Sequence, residues 1–236
     1  MSSEFCDRDR IDSRNRFWDI STMKTLFLLA VTALVSTADL SAQAAADSGS
    51  FLVLRGRDTV ATERFVRTPT KLEGTLSIRN DKRTSERYAA VLAPDGSVPL
   101  IEVTVQEGAD SGASRPRIVQ RARVIFKEDS AAVDEIGRSG LVTRVMGTES
   151  GAIPYLNLSF ALIEQAVRRA RAANHGSTVP FFNLGGGQTL VARLSSVSSD
   201  SVRMDIGDTR YDLRLNGDGR LLGARIPLQN VVADRR

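Results

Sequence analysis

From Phe51 onward, apolar and polar residues alternate in short runs broken by turn residues, the pattern of β-strands with one buried face. In Thr59–Arg67, Ala61, Glu63, Phe65 and Arg67 share one side, and Val60, Thr62, Arg64 and Val66 the other. Leu72–Arg79 puts Leu72, Gly74, Leu76 and Ile78 on one face, and Arg117–Phe126 alternates again. Pro94-Asp95-Gly96-Ser97 lies between two such runs and predicts a hairpin, because Asp-Gly tolerates positive φ. Similar runs recur from Thr178 to Pro227, punctuated by Gly185-Gly186-Gly187 and Asn216-Gly217-Asp218-Gly219. The connections are too short for crossover helices, so the sheet is expected to be mostly antiparallel, with about ten strands. Tyr88 precedes Asp95-Gly96 by the same seven positions that separate Tyr211 from Asp218-Gly219. A duplicated hairpin would explain this spacing, and so would two independent uses of a common turn.

One segment has a helical period. Phe160–Asn174 contains no Gly or Pro and is rich in Ala, Leu, Glu and Arg. Ser159 is placed to cap its start, and Gly176 to end it. Phe160, Ile163, Val167 and Ala170 form an apolar stripe, widened by Leu162 and Ala166, which predicts a helix packed on the sheet. Arg168, Arg169 and Arg171 fall late, where they suit the negative end of the helix dipole.

Upstream the pattern changes. Met23-Lys24, the apolar run Thr25–Val35 and the Ala-x-Ala ending at Ala44 together make a cleavable secretory signal peptide. The run stops at Ser36, short of the roughly 20 apolar residues a spanning helix needs. Residues 1–22 mix Asp and Arg unlike a normal signal start, so translation is expected to begin at Met23. The expected layout is an N-terminal extension (1–22) foreign to the native product, a signal peptide (23–44), a flexible lead-in (45–50) and one β-rich domain (51–236). The expected location is periplasmic or secreted. No Cys stands at the cleavage point, which argues against lipid attachment and a stable membrane anchor.

Cleavage after Ala44 leaves 192 residues, enough for a substantial core. It removes Cys6 and Trp18, the only Cys and the only Trp. The remaining chain can form no disulfide and no thiolate metal site. Cleavage also takes away five Lys/Arg and six Asp/Glu, so the net charge rises from +4 to about +5. The cations are scattered instead of forming a basic stripe with aromatics, so nucleic acid is not an expected partner.

Catalytic chemistry is poorly supplied. His175 is the only histidine, sits beside Gly176 at the helix end, and has no Gly-x-Ser-x-Gly elbow to serve. One histidine cannot build a zinc site. Asp205–Asp208 and Asn216–Asp218 lack the loop length and terminal Glu of an EF-hand and are better read as turns. Gly185-Gly186-Gly187 opens a strand, not a helix, and so is not a phosphate loop. Glu63, Glu73, Glu86 and Glu102 lie on predicted strands, and a carboxylate pair cannot be recognised from spacing alone. The sequence therefore implies no catalytic residue, no metal and no cofactor.

An export signal leading into a long antiparallel run, one late helix and a closing Asp218-Gly219-Arg220-Leu221-Leu222 hairpin resemble the half-barrel proteins typified by the periplasmic lipoprotein-carrier family (LolA/LolB-type). The resemblance implies a strongly curved sheet, a half-barrel, around an apolar cavity for acyl chains. It transfers no functional residue, and it departs from the family in offering a single clear helix. The functional expectation is a non-enzymatic exported protein that binds a lipid or other apolar small molecule. Phe160, Ile163, Val167, Phe181 and Phe182 are the candidate cavity residues. The alternatives are an interaction module for an exported enzyme or an envelope protein partner, and an unrecognised exported hydrolase.

Overall fold

A computed structural model describes residues 46–108, 116–137, 139–172 and 178–236. Residues 1–45, with the signal segment, Cys6 and Trp18, lie outside the described residues, as do Ala173, Asn174 and His175. The first half of the domain forms β1 (Asp47–Arg55), β2 (Asp58–Arg67), β3 (Lys71–Ile78), β4 (Thr84–Val91), β5 (Leu100–Glu107), β6 (Arg117–Lys127), β7 (Ser130–Gly137) and β8 (Gly140–Gly147). A short β9 (Ile153–Tyr155) and helix α1 (Phe160–Ala172) follow. The chain closes with β10 (Thr178–Asn183), β11 (Thr189–Ser198), β12 (Ser201–Ile206), β13 (Thr209–Leu215), β14 (Leu221–Ile226) and β15 (Val231–Arg235).

All fifteen strands belong to one curved sheet, in the order β8-β7-β6-β5-β4-β3-β2-β1-β15-β14-β13-β12-β11-β10-β9. Two meanders are joined where β1 pairs antiparallel with β15, Phe51 opposite Arg235 and Val53 opposite Ala233. Every ladder is antiparallel except β9–β10. Those two strands are connected through α1, and a crossover of that kind is what parallel neighbours require. Among the described residues the sheet is therefore the antiparallel architecture with one α-helix that the alternation predicts, with fifteen strands where about ten were expected. β9 is too short to show alternation, and β15 follows a 3-10 turn at Pro227–Gln229 that interrupts the pattern. Asp47–Ser50, expected as a flexible lead-in, are the first half of β1, paired with Arg64–Arg67 of β2.

The side chains that face inward follow the predicted parity. Ala61, Glu63, Phe65 and Arg67 are all buried, while Arg64 and Val66 are exposed. Phe51 and Phe65 stack with ring centroids 5.8 Å apart, and Phe160 of α1 packs on Phe51 at the same separation. Farther along the core Phe126 and Phe182 meet edge to face at 5.5 Å. The sheet wraps the first two turns of α1 so fully that Phe160 through Val167 are all buried, Glu164 and Gln165 included.

Two hairpin turns grip the later part of the helix. Gln165 donates to the Gly96 carbonyl at 2.9 Å, and Arg169 pairs with Asp95 at 3.0 Å. On the other flank the Arg171 guanidinium lies close to Gly219. The two equally spaced Tyr/Asp-Gly hairpins of the sequence thus meet the same helix from two directions. Gly74 has a separate requirement. It lies opposite Tyr88, and a Cβ there would fall 2.2 Å from the Tyr88 hydroxyl oxygen. Only glycine lets that ring lie across the strand and reach inward.

Candidate functional site

The inner face of β4–β8 does not meet the helix along its whole length. Beyond the core, between these strands and the β10–β11 turn, lies a cavity of about 220 Å³. Its apolar wall comes from Val103 and Val105 of β5, Ala122 and Val124 of β6, and Val133 of β7. Leu156, Phe182, Leu184 and Gly185–Gly187 close the opposite side. The volume is about seven times the ~30 Å³ share of one liquid water, and below the roughly 300 Å³ at which drug-sized pockets begin. It suits a small apolar molecule or the end of an alkyl chain.

The cavity lies where the edge strand β8 approaches the β10–β11 turn. Met146 of β8 packs on Gly187, where a Cβ would fall 2.0 Å from the Met146 methyl. Gly187 also has a φ of +72°, which L-residues rarely adopt. The Thr148 and Thr189 hydroxyls meet at 2.7 Å across the same gap. The triple-glycine segment is therefore a tight turn, thin enough to let the opposite edge come close.

Polar groups gather at one end. Glu135 accepts hydrogen bonds from Gln120 at 3.0 Å and from Arg144 at 2.6 Å. Glu86 also lines the cavity, on β4, opposite Leu76 on one side and Val105 on the other. Burial raises its carboxyl pKa above the ordinary 4.5. A carboxyl whose folded pKa is raised binds its proton more tightly when folded. The stability it contributes is therefore present below pH 4.5 and lost as pH rises through the folded pKa. Replacing Glu86 by Gln removes that loss. Thermal midpoints of the variant and the parent are expected to agree best near pH ~4, with the variant gaining as pH rises to about 7. Parallel pH curves would contradict this.

The five candidate cavity residues of the sequence do not form one site. Phe160, Ile163 and Val167 are buried on α1, and Phe181 is buried against Tyr155 with ring centroids 5.8 Å apart. Phe182 alone among them lines the cavity. Of the four strand carboxylates, Glu63 and Glu86 point inward, while Glu73 and Glu102 are exposed on the outer face.

Glu63 belongs to a second polar group that resembles a reactive cluster. Ser159 and Tyr88 donate to its Oε1 at 2.6 and 2.7 Å, and the backbone N–H groups of Phe160 and Ala161 donate to Oε2 at 2.7 and 3.0 Å. Burial raises the Glu63 pKa, and the four donors oppose that shift. Glu63, Ser159 and Tyr88 are 0%, 1% and 3% exposed, so no substrate reaches them. The group is a cap for α1. Ser159 stands at the predicted cap position, but the acceptor for the helix N–H groups comes from another strand. Among the described residues, no three His, Cys, Asp or Glu side chains are grouped to hold a metal ion. The Asp205–Asp208 and Asn216–Asp218 segments are hairpin turns.

No family model matches the chain, and no curated protein matches its sequence. Two solved structures are similar in fold. One is a DUF1089-family protein from Pseudomonas aeruginosa, at 7% identity over 70% of this chain and 89% of that one, with a TM-score of 0.48. The other is a β-barrel-like protein of the DUF1849 family from Brucella abortus, at 9% identity over 81% and 94%, with a TM-score of 0.46.

Proposed function

We propose that this protein is an exported binding protein, not an enzyme, which holds a small apolar molecule or the end of a lipid chain inside its curved sheet. The observation that carries the reading is the cavity on the inner face of β5–β7, walled by Val103, Val105, Ala122, Val124 and Val133. Apolar walls beside a few placed polar groups are the usual composition of a ligand pocket. The signal-like segment Met23–Ala44 supports a periplasmic or secreted site of action.

Native mass spectrometry of protein purified from its own periplasm tests this directly. The expected spectrum shows a polypeptide beginning at Ala45 that carries a bound apolar molecule, released on activation. A clean ligand-free mass would overturn the binding reading, and a chain retaining residues 23–44 would overturn the export reading.

A second reading rests on a different observation. β8 is an edge strand, and Leu141, Val142 and Val145 on it are 64%, 44% and 74% exposed, beside Ile136 at 51%. An exposed apolar edge is a site where another protein can add a strand. This favours the interaction module for an envelope protein. Recovery of a partner that Val145→Lys abolishes, from protein whose native mass is ligand-free, would support that reading over the first.

A further inference from the structure

The two carboxylates at the polar end of the cavity are in unlike circumstances. Glu135 is compensated, because Arg144 and Gln120 both donate to it. Glu86 lies between Leu76 and Val105 and makes no hydrogen bond or ion pair among the described residues. With Glu135 and Arg144 paired, Glu86 is the one uncompensated charge facing the space among the described residues. Glu86 is half-buried, and an unpaired carboxylate beside apolar side chains lacks the partner that offsets its partial desolvation. Here the space in front of it is the cavity itself.

We propose that Glu86 is the recognition group of this cavity and that its ligand carries a primary ammonium, or an equivalent cationic N–H donor, on a short apolar body. The inference rests on the cavity reading above and adds the chemical class of the ligand. The apolar body lies along Val103, Ala122 and Val124, and the cation meets Glu86 at the polar end. A charge-assisted hydrogen bond to a carboxylate is about twice as strong as a neutral one. A ligand headed by a carboxylate meets the opposite situation, because it places like charge beside Glu86 in a partly desolvated site.

The test uses three probes with the same eight-carbon body: n-octylammonium, n-octanol and n-octanoate. Each is titrated calorimetrically into the purified protein at a pH of about 7.5, where an alkylammonium is charged, and into Glu86→Gln. The parent is expected to bind octylammonium about ten- to a hundredfold more tightly than octanoate, the range that hydrogen bonds to charged groups supply. In Glu86→Gln that advantage is expected to shrink to within about threefold, the level at which a neutral amide no longer separates the two heads. Ala122→Phe, which fills the cavity, is expected to abolish binding of all three.

Equal binding of octanoate and octylammonium, or a preference that survives in Glu86→Gln, would overturn the assignment of Glu86. The cavity reading would still stand on octanol binding lost in Ala122→Phe. If none of the three binds, the cavity reading fails and this inference fails with it. The parent's ratio of affinities decides the ammonium preference even if a variant does not fold.

Discussion

Replacing Glu164 by leucine is expected to cost about 3–5 kcal/mol, the loss typical of leaving buried charge without its partner. Glu164 is fully buried on α1, yet it is the centre of a cluster of cations. Its Oε1 accepts from the Arg67 and Arg168 guanidinium groups, the latter at 2.9 Å. Its Oε2 accepts from Arg235 at 2.8 Å and from the backbone N–H of Leu221 at 3.1 Å. Asp47 is the second anion, 2.9 Å from Arg235 and 3.3 Å from Arg168. Removing Glu164 leaves Arg67 and Arg235, with side chains only 7% and 13% exposed, with Asp47 as their one remaining anion among the described residues, itself shared with Arg168 and Arg220. Burial already lowers the Arg67 pKa, the mark of a cation with little water around it.

The position of the cluster adds to the expected effect. It ties the helix to β1, β2, β14 and β15, and so binds the first and last strands of the domain to α1. Arg67→Met is the informative comparison. There Glu164 keeps Arg168, Arg235 and the Leu221 N–H, so the expected loss is smaller, about 1–3 kcal/mol for a hydrogen-bonded charge. Urea denaturation of both variants checks the order. Equal losses, or a loss under about 1 kcal/mol for Glu164→Leu, the level of an exposed pair, would show that the cluster is not a buried one.

Part of this cluster is legible in the sequence and part is not. The alternation in Thr59–Arg67 places Glu63 and Arg67 on the same side as Ala61 and Phe65. Two charges in phase with a buried row are the signal, and they are the two residues of β2 that contact α1 polar groups. Glu164 stands four residues after Phe160 and three before Val167, so the helical period places it beside the apolar stripe. Asp47 gives no such signal, because it falls in the expected flexible lead-in, and Gln165, on another side of α1, is buried because the sheet folds around the helix on more than one side. A helical period reports one packed face, and cannot report a second set by sheet curvature.

The cavity is illegible for a related reason. Its walls come from β4 to β8 and from the β10–β11 turn, brought together by curvature summed over the sheet. Alternation fixes which residues of each strand point inward, and it does so for Val103, Val105, Ala122 and Val124. It does not fix whether the helix reaches that stretch of the inner face. The helical stripe therefore points to Phe160, Ile163 and Val167, which fill the core, and away from Glu86 and Glu135.

The Glu63 cap is expected to show a loss of similar size, and the two obvious substitutions should separate. Glu63→Leu leaves four buried donors at one point: two backbone N–H groups of α1 and the Ser159 and Tyr88 hydroxyls. A hydroxyl can rotate in search of another acceptor, but a backbone N–H in the first turn of a helix cannot. Each stranded donor costs about 1–3 kcal/mol, so the two N–H groups alone set an expected loss of about 2–6 kcal/mol. Glu63→Gln is isosteric and can turn its carbonyl toward Phe160 and Ala161. Its amide then faces Ser159 and Tyr88, whose oxygens are able to accept. The amide loses the attraction of a carboxylate to the positive end of the helix, about 0.3–2 kcal/mol, and the two hydroxyl protons must turn to other acceptors. Stability should therefore fall in the order parent, Gln, Leu, with the Leu variant also losing hydrogen-exchange protection at the start of α1. Equal losses for Gln and Leu would mean that the charge matters here and the acceptor count does not. A Gln variant more stable than the parent would mean that burying the charge costs more than the charge adds to these hydrogen bonds.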